Sequence, residues 1–294
     1  MDRSEWLAER FDEQRTGLRA VAYRMLGSVT DADDALQEAW LRVSRADTSD
    51  VENLAAWLRT IVARVCLNML RARKARSEEP LDVHVPDPIV SLDDDKRPDQ
   101  EAVLADSVGL AMLVVLETLS PAERLAFVLH DMFGVPFDEI APMIERSPVA
   151  ARQLASRARR RVRGEAHVPD PDIARQRTVV DAFFAAARNG DFDALIAVLD
   201  PDVILRSDGG QARPGQTLVL RGARAVAEQA GLARQLSPFV RPALVNGAAG
   251  VVVAMRDKAQ FVMAFTVTGG RIVAIDVLAD PERLAEIKIA GLGS

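Results

Sequence analysis

Five arginines stand within the ten residues of ASRARRRVRG, 155–164, with no acid among them. They belong to a longer stretch, SPVAARQLASRARRRVRG, that reads as one helix, opened by Ser147-Pro148 and closed by Gly164. Ala151, Leu154, Ala155, Ala158 and Val162 recur at helical spacing and form a narrow, mostly small-residue stripe suited to close packing. Arg152, Gln153, Ser156, Arg157 and Arg160 lie away from that stripe. Arginine can donate two hydrogen bonds to guanine, and glutamine can pair twice with adenine, in a major groove wide enough to admit a helix. Arg159, Arg161 and Arg163 are better placed for phosphates, which supply affinity and salt sensitivity rather than sequence choice. The same pattern also describes an arginine-rich solvated helix face.

A second basic stretch occurs earlier. From Trp57 to Arg76 there are six Lys and Arg residues and no acid, with Leu54, Trp57, Leu58, Ile61, Val65 and Leu70 forming the apolar side of a helix. Before it, VTDADDALQEAWLRV places Ala32, Ala35, Leu36, Ala39, Trp40 and Val43 at helical spacing with acids opposite, and Asp31 or Thr30 is available as its N-cap. Residues 77–106 then carry 10 acidic and 2 basic side chains and include prolines 80, 86, 88 and 98. Proline at that density prevents a helix and favours extended backbone, so this reads as a semi-rigid acidic linker. The chain's formal net charge of −6 therefore resides in one segment, and the rest is slightly basic.

Helical signals resume near Gln100. In SPAERLAFVLHDMFG, Ser120 is the N-cap, Pro121 the first helical residue, Glu123 the capping-box partner and Gly134 the stop. A short helix, PFDEIAPMIE, and the arginine-rich helix complete a helix-turn-helix pattern. After HVPDPD at 167–172 come two helices and then strand-like runs, with Gly269-Gly270 as a tight hairpin turn. Helices followed by an antiparallel sheet indicate an α+β domain. The first twenty residues contain no apolar run, which predicts neither a secretory signal nor a transit peptide. The longest apolar stretch is too short to span a bilayer, and one cysteine cannot form an internal disulfide, so a cytoplasmic chain is expected.

VTDADDALQEAWLRV, AAWLRTIVARVCLNMLRARKAR and LSPAERLAFVLHDMFGVPFDEIAPMIERSPVAARQLASRARRRV, in that order and spacing over residues 5–164, resemble the extracytoplasmic-function RNA polymerase sigma factors. Residues 172–294 resemble the SnoaL-like extension of a subgroup of that family. The resemblance implies a multidomain chain of two all-α sigma domains, the second a helix-turn-helix, an acidic linker and an α+β SnoaL-like cone. The corresponding boundaries are 1–78, 79–105, 106–165 and 170–294. It implies binding to core RNA polymerase and promoter-specific initiation, with the cone modulating activity in cis through contacts with the sigma domains or the linker. Asp31, Asp34, Gln37, Glu38 and Leu41 would meet the clamp helices of the largest polymerase subunit, and the second sigma domain would meet the flap. Arg59, Arg64, Asn68, Arg71, Arg73 and Lys74 would meet the −10 element, and the helix from Ser147 the −35 element. Neither a cofactor, a metal nor a membrane partner is implied. The linker would thread the polymerase interior as a nucleic-acid mimic, although its charge equally suits a solvated spacer. Trp40 and Trp57 lie on apolar faces and read as core rather than as base-stacking platforms.

Two motifs depart from the subgroup. Its Trp-Leu-Pro-Glu-Pro linker signature is replaced by EEPLDVHVPDP, and its Asp-Gly-Gly-Gly-Lys segment is met by Asp208-Gly209-Gly210-Gln211. SnoaL-like enzymes need an acid–base group in the cone. All three histidines, His84, His130 and His167, and the cysteine lie outside it. Asp202 and Asp208 read as turn residues, and Asp276 in the alternating run RIVAIDVL could face a pocket. Asp208, Gly209, Gly210 and Asp276 are therefore the candidate pocket or regulatory residues. A sigma factor without catalysis is the favoured reading, over a free-standing ligand-responsive regulator or an enzyme fused to a DNA-binding module.

Overall fold

The structure is a computed structural model that describes residues 3–48, 51–76, 83–92, 109–165, 167, 169–287, 289–290 and 292. The chain divides into two compact units, one of residues 1–79 and 115–165, the other of residues 80–114 and 166–294.

The first unit begins with α1 (Arg3–Leu26), α2 (Val29–Val43) and α3 (Leu54–Arg76). The N-cap of α2 is Ser28, whose hydroxyl accepts from the Asp31 amide, so neither Asp31 nor Thr30 caps the helix as expected. Asp31 instead occupies the first turn, where its charge complements the helix dipole. Ala32, Ala35, Leu36, Ala39 and Val43 are buried along one face of α2. Trp40 is half-buried against Phe11, with ring centroids 5.2 Å apart. Along α3, Leu58, Val62, Val65, Cys66 and Leu70 are buried. Leu54, Trp57 and Ile61 are only half-buried, so the apolar stripe read from the sequence is rotated from the true core face. Burial pushes the Cys66 thiol up to about 12, which leaves it inert.

Helix α4 (Leu110–Glu117) is divided between the units, and the earlier part of the expected helix, from Gln100, lies outside the described residues. Helix α5 (Pro121–Phe127) carries the predicted capping box, with the Ser120 hydroxyl and the Glu123 carboxylate each accepting from the other residue's amide. A π-turn at Val128–Met132 follows, and Gly134 ends it with φ +68°. Helix α6 (Phe137–Ile140), a 3-10 turn at Ala141–Met143 and α7 (Pro148–Glu165) complete the helix-turn-helix. Ala151, Ala155, Ala158 and Val162 are the buried face of α7.

The second unit contains α8 (Ile173–Asn189), α9 (Phe192–Val198) and α10 (Ala223–Leu232). These pack on a sheet through Val180, Phe183, Leu195, Val226, Phe265 and Ile275. Its strands are β1 (Val90–Ser91), β2 (Leu199–Asp208), β3 (Leu218–Arg221), β4 (Val240–Val245), β5 (Ala248–Met255), β6 (Lys258–Thr268), β7 (Arg271–Leu278) and β8 (Ile289–Ala290), with α11 (Pro281–Glu286) before the last. Strand order is β3-β2-β7-β6-β5-β4-β1-β8. The sheet is mixed, not antiparallel as expected, because β2 and β7 pair in parallel, as do β1 and β8. Gly269 and Gly270, both at positive φ, make the predicted tight turn, and their amides donate to Asp170 at 3.0 and 3.1 Å.

Candidate nucleic-acid interface and the linker dock

The exposed face of α7 keeps only some of the expected DNA-facing residues free of other partners. Arg152, Gln153, Arg157 and Arg160 are exposed and Ser156 is half-buried. Gln153, Arg157 and Arg160 lie opposite the buried alanines, and Arg152, Ser156 and Arg163 follow one flank of that face. Arg152 rests over the Phe137 ring at 5.4 Å, which restrains its stem. Two of the three expected phosphate contacts are otherwise engaged. Arg159 forms a bidentate pair with Asp131 at 2.6 and 3.1 Å, and that hydrogen bonding raises its pKa. Arg161 is exposed but donates to the Thr118 carbonyl at 2.8 Å, and Arg163 is exposed as well. Sequence reading missed Val149, which is 60% exposed in the first turn of α7. An apolar side chain there suits a thymine methyl, and only its failure to join the core distinguishes it from a packing residue.

On α3, Arg64, Asn68, Arg71 and Lys74 are exposed, and Arg59 is half-buried. Arg73 pairs with Asp31 and donates to the Leu26 carbonyl at 3.3 Å. On α2, Asp34, Gln37, Glu38 and Leu41 form one exposed stripe at helical spacing, with Leu41 43% exposed. Glu38 holds Arg42 at 2.9 Å. Asp33, beside the stripe, forms a bidentate pair with Arg19 at 2.7 and 2.8 Å. Asp31 is half-buried and turned toward α3, apart from the other four.

The cone holds the linker. Val90 and Ser91 pair antiparallel with Val245 and Leu244 of β4 and in parallel with β8. Ile89 and Asn246 exchange two hydrogen bonds, at 2.9 and 3.0 Å. Val83, Val85 and Val90 are buried. The Val85 amide donates to Asp208 Oδ2 at 3.0 Å, and Arg283 joins Asp208, at 2.8 Å, to Asp87 and the Val85 carbonyl. His84 Nδ1 lies 3.4 Å from Asp208. Burial opposes the Asp208 charge, but the His84, Val85 and Arg283 partners outweigh it and hold its carboxyl at about 2. A side chain at Gly209 would collide with the Arg213 carbonyl, and one at Gly210 with the Asp280 carboxylate. Asp208 thus meets Val85 directly and Asp87 through Arg283, within the segment EEPLDVHVPDP. The turn role of Asp208 is also present, since its Oδ1 accepts from the Gly210 amide at 3.1 Å.

Asp276 does not face the cone's cavity. The cavity measures about 280 Å³, and the neighbouring Val277 lines it. Strand alternation sends Asp276 to the other face, where it is buried and accepts from Arg206 at 3.1 Å. Burial raises its pKa against the counteracting Arg206 charge. Among the described residues no group of three or more His, Cys, Asp or Glu side chains could hold a metal ion, and no helix is long and apolar enough to cross a membrane.

Residues 11–76 match the family model for Sigma-70 region 2, and residues 110–162 match that for Sigma-70, region 4. The ECF RNA polymerase sigma factor SigJ of Mycobacterium tuberculosis is 38% identical over 287 residues, covering 93% of this chain and 91% of that protein. The probable ECF RNA polymerase sigma factor SigI of the same species is 36% identical over 283 residues, covering 93% of each. The crystal structure of Mycobacterium tuberculosis SigJ superposes with a TM-score of 0.75 at 35% identity, covering 95% of this chain and 99% of that one. Two sigma-type helical regions, a linker and an α+β cone are therefore shared along nearly the whole length. The chain belongs to the extracytoplasmic-function RNA polymerase sigma factors, which direct promoter-specific initiation of transcription, and carries a C-terminal SnoaL-like domain.

Proposed function

We propose that the cone regulates this sigma factor in cis by holding the linker. The observation that supports this most directly is the dock of residues 83–92, in which Val90 and Ser91 pair as a strand and Val85 and Asp87 are anchored by Asp208 and Arg283. A linker held in a sheet is withheld from the polymerase interior, where an acidic segment would occupy a channel built for nucleic acid. Release of the dock then becomes a step in engaging polymerase. The functional divisions are 1–78 for polymerase and the −10 element, 79–105 for the linker, 106–165 for the −35 element and flap, and 170–294 for regulation.

Within that scheme, Asp34, Gln37, Glu38 and Leu41 contact the clamp helices, and Arg64, Asn68, Arg71 and Lys74 the −10 region, with Arg59 at its margin. Arg152, Gln153, Ser156, Arg157 and Arg160 read the −35 element with Val149, and Arg163 meets the backbone. The protein works in the cytoplasm without catalysis of its own. Run-off transcription with core polymerase tests the scheme. Arg283→Ala, which releases Val85 and Asp87, is expected to alter promoter output and polymerase affinity. Wild-type values for both would sink regulation through the linker.

A further inference from the structure

The cone encloses about 280 Å³ between α8, the 3-10 segment 233–239 and the strands β2, β5, β6 and β7. That approaches the lower end of small-molecule sites, about 300 Å³. Phe183, Phe184, Val253, Phe261, Met263 and Val277 form apolar walls. Gln216 and Ser237 line the same cavity, and Gln216 Oε1 and Ser237 Oγ are both buried without a hydrogen-bond partner among the described residues. A buried polar atom left unsatisfied is costly, and native structures leave few of them. Walls this apolar give water few of the two to four polar partners it needs, so solvent is a poor way to satisfy the two atoms. Arg234 is the one charged lining residue and is exposed, so the interior offers no partner for a ligand charge.

We propose that this cavity binds a compact, neutral, apolar molecule bearing a hydroxyl group, with Gln216 Oε1 and Ser237 Oγ as its hydrogen-bonding partners. The hydroxyl hydrogen suits Gln216 Oε1, an acceptor, and the hydroxyl oxygen suits the Ser237 O–H as donor. The apolar body takes the place of water against the phenylalanine and aliphatic walls. Residue alternation on β2 puts Ser207 in the cavity wall and Asp208 at the linker, so the two sites share a strand, but binding does not depend on the regulatory reading.

The test uses the full chain and two probes of one skeleton, 2-naphthol and naphthalene, titrated by calorimetry and followed by NMR. The wild-type protein is expected to bind 2-naphthol at least tenfold more tightly than naphthalene. Ser237→Ala and Gln216→Leu should each remove most of that preference while leaving naphthalene affinity unchanged. Ala230→Phe, which fills the cavity from α10, should abolish binding of both. Where the circular dichroism of Ala230→Phe shows loss of fold, Ser237→Ala and Gln216→Leu decide the question. Absence of saturable 2-naphthol binding, equal affinity for the two probes, or a preference unchanged in both polar variants overturns the proposal.

Discussion

Arg73 on α3 donates to Asp31 on α2, joining a base read as promoter-facing to an acid read as polymerase-facing. The pair removes Asp31 from the stripe of Asp34, Gln37, Glu38 and Leu41, and it draws Arg73 toward the end of α1 through the Leu26 carbonyl. Its side chains are 42% and 31% exposed, so it is a surface pair, worth at most about 1 kcal/mol.

Leu41→Ala is accordingly expected to weaken binding to core polymerase while leaving the denaturation midpoint unchanged, because this side chain contributes exposed rather than core surface. Asp31→Ala should lower stability by about 1 kcal/mol or less and affect polymerase affinity less than Leu41→Ala does. Anisotropy titration of labelled protein with core polymerase, beside urea denaturation, separates the two. Equal losses of affinity would return Asp31 to the polymerase surface.

The arginines of α7 divide by partner. Arg157→Ala should reduce discrimination against a mismatched −35 base by about 1–3 kcal/mol. Arg163→Ala should weaken all promoters alike and lower the salt slope of binding by about 1. Arg159→Ala, whose guanidinium is held by Asp131, should change neither quantity. Salt titrations on matched and mismatched promoter DNA measure all three, and a loss of salt slope in Arg159→Ala would show that the Asp131 pair opens on DNA.

Asp208 supplies a pH dependence. Its carboxyl stands at about 2 in the folded chain against an ordinary 3.8, so its ionised form is favoured by folding. That stability is fully present above the ordinary value and is lost as pH falls through the folded value, a window from about pH 4 to about pH 2. Asp208→Asn should cost about 2 kcal/mol at pH 7 and progressively less toward pH 2. Urea denaturation across that range checks it, and a penalty independent of pH would rule out the charge as the source.

Asp276 has the opposite sign. Burial raises its pKa, so the folded chain holds this proton more tightly than the unfolded chain. Stability therefore declines as pH rises from the ordinary carboxylate range through the raised value, then levels off. Arg206→Ala strands the buried carboxylate and should cost about 3–5 kcal/mol at pH 7, and less at pH 4 where Asp276 takes up a proton. Adding Asp276→Asn to that variant should restore most of the loss, as thermal melting at the two pH values would show.

Much of the helical architecture was legible because its determinants are local. Ser120, Pro121 and Glu123 specify a helix start within four residues, and Gly134 its end. Gly269-Gly270 made its turn for the same reason, both residues taking positive φ. The alanine stripe of α7 followed from period alone, although the period left Val149 indistinguishable from a core residue.

By itself, then, the sequence determined most of the helices and the longer strands, the basic recognition helix, the acidic segment and the family, all of which depend on neighbours within a turn or two or on motif spacing. Tertiary structure alone decided which charges remain available. Asp131 claims Arg159 across 28 positions, Asp31 claims Arg73 across 42, and Arg283 reaches Asp87 across 196. It also decided that part of the linker is a strand, since Val90 and Ser91 have no local signal for pairing and acquire one from β4 and β8. A backbone donor finds its acceptor by proximity in the folded chain, and no residue pattern short of the whole fold encodes that proximity.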